Sequence, residues 1–284
     1  MSNTGTIIKH STLKEKTVCL TLDVEQDFGE LLKSPRYEGI DRIKEFVLFI
    51  KEKDLPLTCF VQGSLFDTHT ESIQHFKEID TEFELHSYSH PGPSTMDSRL
   101  EIEKGMEAYY KFTGNYPAGY RSPLGAIQES DYSILTENHF QYDSSVFPTI
   151  RPGIFNNFSK PNRPFRKTGT QMIEFPITVL SEFIRVPIAL SYIKLFGCCY
   201  SSILKASRLP DLIIFDFHLH DLFPLKSADL LPLDEHSLMY RMIFNRIYRK
   251  NIDGLSLFDS FIQTLKRKKY RFRKLIDVYE DVQK

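Results

Sequence analysis

Short apolar runs alternate along the chain with stretches whose apolar residues recur at helical spacing. The runs TVCLTLDV (17–24), LTCFVQG (57–63), FELHSYS (83–89), AGYRSP (118–123), FQYDSSV (140–146), MIEFPIT (172–178) and LIIFDFHLH (212–220) read as strands, with KLIDVY (274–279) a late candidate. Between them, DRIKEFVLFIKEK (41–53) places Ile43, Phe46, Val47 and Ile50 on one helical face. STMDSRLEIEKGMEAYYKFTG (94–114) opens on a capping-type Ser94 and stops at Gly114. SDYSILTENH (130–139), DEHSLMYRMIFNRIYRK (234–250) and SLFDSFIQTLKRKKY (256–270) complete the helical set, and VPIALSYIKLFGCCY (186–200) reads as a buried helix or part of an interface. Strand–helix alternation predicts a parallel sheet with helices outside. About seven such units without a Gly-rich phosphate loop favour a barrel over an open doubly wound sheet. Segment 147–170 is rich in Pro, Asn and Gly; a loop of that length inside a compact domain reads as a lid or substrate-binding loop.

Composition narrows the class without changing this picture. With 284 residues, 41% hydrophobic and 26% charged, the chain can bury a full core. Lys+Arg number 36 against Asp+Glu 37, so no global field points to a nucleic-acid partner. The 23 Phe and 14 Tyr are first of all core, although Tyr also suits a sugar groove. Cys19 and Cys59 sit in strand-like runs and Cys198 and Cys199 are adjacent, a pattern of neither a zinc knuckle nor a disulfide framework; all are expected to be small buried hydrophobes. Residues 1–16 lack the apolar core of a secretory signal, and no apolar run reaches the roughly 18 residues of a membrane span, so a cytoplasmic protein is expected. The basic stretch LKRKKYRFRK, ending at Lys274, reads as the solvated end of a C-terminal helix, with contact to anionic headgroups as the weaker reading.

Candidate chemistry gathers at the ends of the strand-like runs. TLDVEQDFG places Asp23, Glu25 and Asp27 just beyond a buried strand, where like charges are costly to desolvate. HSYSH spaces His86 and His90 four apart, as on one helical turn, the spacing of many metal-ligand pairs, while Pro91 ends any helix there. GYRSPLG ends a strand in Arg121, followed by Pro123 and Gly125, and QYDSSVFP ends the next in Asp143. LIIFDFHLHD places Asp216, His218 and His220 on one face by the period of two. Ionisable groups at successive C-terminal strand ends follow the rule for barrel catalytic residues.

In this order the motifs resemble the polysaccharide deacetylase family, the NodB-homology domain. HSYSH is similar to its His-Ser/Thr-x-x-His motif and RSPLG to its Arg-x-Pro-x-Gly motif; TLDVEQDFG, YDSSVFP and FDFHLHD stand where its first, fourth and fifth motifs lie. The DVEQDFG and YDSSVFP forms resemble a subgroup associated with exopolysaccharide and surface-glycan loci. The likeness spans 17 to about 280, leaving 1–16 as an N-terminal extension to a single domain over 17–284.

The resemblance implies a deformed (β/α)7 TIM-like barrel and a divalent metal, zinc or a neighbouring ion, held by two imidazoles and one carboxylate. It implies that the chain removes an acetyl group from an N-acetylated sugar or glycan. Asp23 matches the family's base and Arg121 the residue holding it; His86 and His90 match metal ligands. His218 matches the acid, with His220 the alternative, and Asp143 or Asp216 would fix its tautomer. Pro123, Leu124 and Asp143 would meet substrate, with an oxyanion-binding N–H near Leu124. In the common family form the metal carboxylate directly follows the base; here that neighbour is Val24, so Glu25 is the expected ligand and Asp27 the next. Other readings are a metal-independent hydrolase of a cyclic amide or similar C–N bond, and an inactive glycan-binding relative.

Overall fold

The computed structural model describes residues 5–8, 15–92, 95–151, 155–233, 238–250 and 252–284. Its strands are β1 (Thr6–Ile7), β2 (Thr17–Val24), β3 (Leu57–Val61), β4 (Thr81–Leu85), β5 (Gly119–Tyr120), β6 (Tyr142–Asp143), β7 (Ile150–Arg151), β8 (Phe155–Asn156), β9 (Phe165–Arg166), β10 (Ile173–Glu174), β11 (Leu212–His218) and β12 (Arg271–Phe272). The α-helices are α1 (Ile43–Lys53), α2 (Gly63–Thr68), α3 (Thr70–Gln74), α4 (Ser98–Thr113), α5 (Glu129–Glu137), α6 (Leu190–Ala206), α7 (Leu219–Leu222), α8 (Leu238–Phe244), α9 (Gly254–Arg267) and α10 (Leu275–Gln283).

Every residue of β2 is buried, as befits a strand covered on both faces. Val18, Leu20, Leu22 and Val24 point outward into a core shared with Phe46 of α1 and Phe258 and Phe261 of α9, whereas Cys19 points into the barrel beside Phe60 and Ile214. The parallel ladder runs β10–β6–β5–β4–β3–β2–β11. β3 pairs with β2 only from Thr21 upward, and β12 fills the space below by pairing with Thr17 and Val18. No ladder joins β10 to β11. The barrel closes instead through Thr178: its N–H donates to the Ile214 carbonyl at 3.1 Å and its hydroxyl accepts the Ile214 N–H at 2.8 Å. This closure by single hydrogen bonds is what makes the barrel deformed. β1 pairs antiparallel with β9, so residues 6 and 7 join the sheet although they precede the barrel.

Several sequence expectations change. Residues 274–279 are helical: Leu275 and Val278 are buried three apart, and the buried Glu82 carboxylate accepts the Ile276 N–H at 3.1 Å where the helix begins. The strand expected over 83–89 ends at Leu85, and HSYSH is no helical turn, because Ser87 and His90 have left-handed backbones with φ of 54° and 58°. Strand ladders at 119–120, 142–143 and 173–174 are shorter than expected, since the chain turns away once its inward side chains are placed. The cap of α4 is Asp97, whose carboxylate accepts the Leu100 N–H at 3.2 Å; Ser94 lies outside the described residues. Segment 186–200 contributes α6, which buries one face and breaks at Gly197. Of the helix expected over 234–250, residues 234–237 lie outside the described residues, and the rest is α8 followed by a π-helical turn over Asn245–Arg249. Cys198 and Cys199 are exposed on α6, while Cys19 and Cys59 are buried as expected; all are free thiols. The basic stretch 265–274 spans the end of α9, a turn and β12, and its Arg273 and Lys274 pair with Asp281 and Asp80.

One close approach ties the outer helices to the HSYSH loop. A Cβ on Gly63 would lie 2.9 Å from the Cα of Gly105, and a Cβ on Gly105 would lie 2.7 Å from Leu85 and 3.2 Å from the Ser87 carbonyl. α4 can therefore lie close enough for Glu101 to accept the Tyr88 and Ser89 N–H groups at 2.9 and 2.7 Å. Gly105→Ala is expected to destabilise the fold by about 1–3 kcal/mol through overpacking. A lower urea midpoint with unchanged slope will register the loss.

Candidate active site

The inward positions change from apolar to charged on climbing the barrel. Above Cys19, Phe60 and Ile214, the next inward residues are Thr21, Asp23 and Asp216, with Arg121 between them. All five N–H groups of the Arg121 guanidinium have an acceptor in reach. Nε donates to the Ser144 carbonyl at 2.9 Å, one terminal nitrogen to Asp23 at 2.6 Å and Asp216 at 3.0 Å, and the other to Thr21 Oγ1 at 3.0 Å and Ser144 Oγ at 2.9 Å. Its plane lies over the Phe60 ring at 4.2 Å. Burial, and then the charge of Asp23, push the Asp216 carboxyl up to about 7.

Asp23 thus gives one oxygen to Arg121 and turns the other upward, 3.9 Å from His86 Nε2 and 3.7 Å from His218 Nε2. β2 ends at Val24, which points into the outer core, and Glu25 returns to the inner side. Its Oε2 lies 3.1 Å from His86 Nε2 and 2.6 Å from His90 Nε2. Burial alone would raise the Glu25 carboxyl; the charge on His90, hydrogen bonds from His86 and His90, and the charge on His218 outweigh it and hold the group well below its usual range. The His86 Nδ1–H donates to the Arg121 carbonyl at 2.8 Å, which fixes the ring with Nε2 facing Glu25, the nitrogen that would ligate a cation once its proton is displaced. His90 is fixed through its backbone N–H, donated to Ser87 Oγ at 3.1 Å.

These donors fit a divalent cation of the zinc type. Two imidazole nitrogens and a carboxylate oxygen, all buried, lie within 4.8 Å of one another. Glu25 with His218 and His220, and Asp23 with Asp216 and His218, form looser groupings by the same measure. The first is the tightest, because both imidazoles converge on one oxygen.

The remaining sequence candidates are placed differently. The Asp27 oxygens accept the Glu38 and Gly39 N–H groups at 2.7 and 3.1 Å, so this carboxylate secures the 38–39 backbone and is absent from the ligand groupings. Asp143 is fully buried and accepts the Ser145 N–H and hydroxyl, while Ser145 Oγ accepts the Ser122 N–H at 2.8 Å. It braces the RSPLG turn from behind and does not reach the cleft. Pro123 and Leu124 form that turn, with Leu124 left-handed at φ 57°. β11 ends at His218, so His220 belongs to α7 rather than the strand face; its ring stacks on His218 at 4.8 Å, and burial, then the His218 charge, lower it to about 4.

The group that orients His218 is neither Asp143 nor Asp216 but Asp221, whose carboxylate accepts from His218 Nδ1 at 2.9 Å. Burial lowers the His218 pKa, but Asp221 and the surrounding carboxylates outweigh it and hold His218 well above the usual imidazole range. His218 is also the most open of the gathered side chains, at 22% exposure. The sequence signal for Asp221 was the His-x-x-Asp spacing at a strand-to-helix junction. The buried Lys194, which donates to the Asp221 carbonyl at 2.9 Å, was marked only as a lysine inside an apolar helical run. Glu101, Thr21 and Ser144 carried no signal, because their partners lie far away in sequence.

A barrel whose ionisable centre lies at the C-terminal strand ends has the architecture of a barrel enzyme. The family model described as polysaccharide deacetylase matches residues 10–142. A peptidoglycan deacetylase-like protein of Gibberella zeae is 27% identical over 93 residues, which cover 32% of this chain and 28% of that protein's length. A polysaccharide deacetylase structure from Mycobacterium smegmatis superposes with a TM-score of 0.57 at 17% identity, covering 99% of this chain and 94% of that one. A family 4 carbohydrate esterase pseudoenzyme from Bacillus anthracis gives 0.54 at 14% identity, covering 94% of this chain and 66% of that one. Over residues 10–142 the chain resembles the polysaccharide deacetylase family, and its fold is the deformed barrel of the solved structures it superposes on.

Arg121→Met will cost about 3–5 kcal/mol of stability, because two buried carboxylates lose their partner. Asp216→Asn will cost far less, since Asn keeps an acceptor for Arg121. The Asp216 carboxyl is raised from 3.8 to about 7, so the native state binds more protons than the unfolded state between those values. Wild-type stability therefore falls relative to Asp216→Asn as pH rises from 4 to 7. Urea titrations of both proteins at several pH values measure the difference.

Proposed function

We propose that the chain is a metal-dependent deacetylase of an N-acetylated sugar or glycan. The observation that carries this reading is the convergence of His86 and His90 Nε2 on Glu25 Oε2, directly beside an aspartate held by Arg121. Glu25, His86 and His90 would hold the ion. When bound, it would polarise the acetamide carbonyl and make a water more acidic.

The chain's own residues supply the proton traffic. Asp23, with one oxygen tied to Arg121, presents the other to take the water's proton. The water oxygen forms the new bond to the acetyl carbon, and the Leu124 N–H is the proposed donor to the developing oxyanion. His218, held protonated by Asp221, gives its Nε2 proton to the sugar nitrogen as the C–N bond breaks, releasing acetate and a free amine. Asp23 and His218 face the centre from β2 and β11, adjacent strands in register, so base and acid occupy neighbouring positions without sharing a proton donor. His220 supports the acid by stacking against it.

The decisive experiment is metal analysis joined to acetate release from N-acetylglucosamine oligomers. About one zinc-type ion per chain, with activity lost on chelation and restored by metal, is the expected result. Full activity without metal would favour metal-independent C–N hydrolysis, and metal binding without turnover would favour a glycan-binding relative. His86→Ala should lose both metal and acetate release while remaining folded. Asp221→Asn should lower kcat by about 10²–10⁴-fold with little change in KM. It should also move the alkaline limb of the pH profile to lower pH, because the acid must stay protonated and Asp221 is what raises it; an unmoved limb would remove His218 from the role.

A further inference from the structure

The Asp27-Phe28-Gly29 end of TLDVEQDFG has no part in the chemistry described above. Its backbone is unusual. Phe28 and Gly29 are consecutive left-handed residues, with φ of 61° and 58°, so the chain turns sharply just after Glu25. Such a turn persists only where its surroundings hold it. Asp27 donates its own N–H to the Arg36 carbonyl at 2.8 Å, and its carboxylate accepts the Glu38 and Gly39 N–H groups. The Phe28 ring is buried against His220 at 5.0 Å, Tyr248 at 5.0 Å and Phe244 at 5.7 Å. The turn is therefore tied to the 36–39 backbone by Asp27 and to α7, α8 and the π-helical turn by Phe28.

What the turn faces is His90. The two imidazoles of HSYSH are held differently. His86 donates Nδ1–H to the Arg121 carbonyl, the usual way in which a ligating imidazole is oriented. His90 Nδ1 is buried and finds no hydrogen-bond partner outside its own residue among those described. Packing takes that place. The His90 ring lies 5.1 Å from the His86 ring, its Nε2 lies 2.6 Å from Glu25 Oε2, and the backbone of Gly29 closes its Cε1 edge. A Cβ on Gly29 would lie 3.2 Å from His90 Cε1 and 3.6 Å from Nδ1, so the ring would have to give way by a few tenths of an ångström. Cε1 adjoins Nε2, the proposed ligand atom, and metal–ligand distances hold to within about 0.2 Å. Position 29 thus requires glycine both for its backbone angle and for the ring in front of it.

We propose that Asp27, Phe28 and Gly29 form a positioning element for His90, holding its ring on the metal site by packing where His86 relies on a hydrogen bond. The proposal rests on the metal-dependent reading and extends it to three residues that are absent from the ligand groupings. It gives the third carboxylate of the segment a role: Asp27 acts on the site through the turn it anchors, not as a ligand. Glu25 meets His90 at Nε2 and Gly29 meets it at Cε1, so one short stretch of chain supplies both the ligand carboxylate and the wall that keeps the imidazole beside it.

Zinc titration of the full chain against a chromophoric chelator tests the element without any turnover. Gly29→Ala should weaken zinc binding by about 10–100-fold, the loss expected when the support of a ligating histidine is disturbed. Gly114→Ala is the matched control: Gly114 is also left-handed, at φ 78°, but a Cβ there meets nothing within 4 Å. It should lower the urea midpoint, as Gly29→Ala does, yet leave zinc affinity within about 2-fold of wild type. Asp27→Ala, which frees the turn without adding an atom, should weaken zinc binding by about 10-fold or more and carries the test if Gly29→Ala does not fold. In a His90→Ala background neither Gly29→Ala nor Asp27→Ala should change zinc affinity by more than about 2-fold, because the ring they position is gone. Wild-type affinity in both variants would overturn the proposal. So would an equal loss in Gly114→Ala, which would mean general strain, or equal losses in the His90→Ala background, which would route the effect around His90. A wild-type chain that binds no zinc would remove the metal-dependent reading and the proposal together, whereas wild-type binding with unaffected variants removes the proposal alone.

Discussion

A guanidinium sealed inside a barrel is unfavourable unless every N–H finds an acceptor and its charge finds a counter-charge. Arg121 meets both conditions only because five strands deliver their residues to one point. β2 brings Thr21 and Asp23, β3 brings Phe60 beneath the plane, β11 brings Asp216, the residue after β6 is Ser144, and Arg121 itself follows β5. A shift of one residue in any of these strands would turn its contribution outward, because side-chain direction alternates along a strand. The arginine therefore links the register of the barrel to the geometry of the site. Its backbone carbonyl does further work by fixing the tautomer of His86.

Charge explains why the upper half of the barrel looks as it does. Asp23, Asp216 and Glu25 lie close together with one arginine among them, an arrangement that leaves negative charge uncompensated. The protein answers in part by raising Asp216, so that it sheds its charge near neutrality, and in part by letting His90 and His218 take up protons. A divalent cation between Glu25, His86 and His90 would complete the balance with fewer bound protons. Asp27, the nearest further acid in sequence, is spent on two backbone N–H groups and helps to seat the segment beside His220.

The two ends of the barrel differ in where their buried acids lie. At the lower end, Arg271, Arg273 and Lys274 pair with Glu15, Asp281 and Asp80, and Glu82 is absorbed into hydrogen bonds with Thr58, Tyr142 and the start of α10. At the upper end, Asp23, Glu25 and Asp216 lie inside, while on the rim Lys160 and Arg163 pair with Glu129 and Glu182. A base whose buried acid is absorbed by neutral donors and a mouth lined inside by carboxylates and imidazoles separate the structural half of this fold from the half suited to meeting a ligand.

By itself the sequence determined the alternation of strand and helix, the limits of β2 to the residue, and the motifs that carry His86, His90, Arg121 and His218. Hydrophobic periodicity and strand-end chemistry are local signals, readable one segment at a time. Where local signals competed, the structure decided. KLIDVY has strand-like content but helical burial, and HSYSH has helical spacing on a backbone bent by two left-handed residues. The sequence expected Glu25 ahead of Asp27; the tertiary structure places the first beside two imidazoles and the second against a loop backbone, and only it gave His218 Asp221 as a partner in place of Asp143 or Asp216. Those choices depend on groups separated by tens to hundreds of residues, whose distances are set by how the strands close, and no local pattern encodes them.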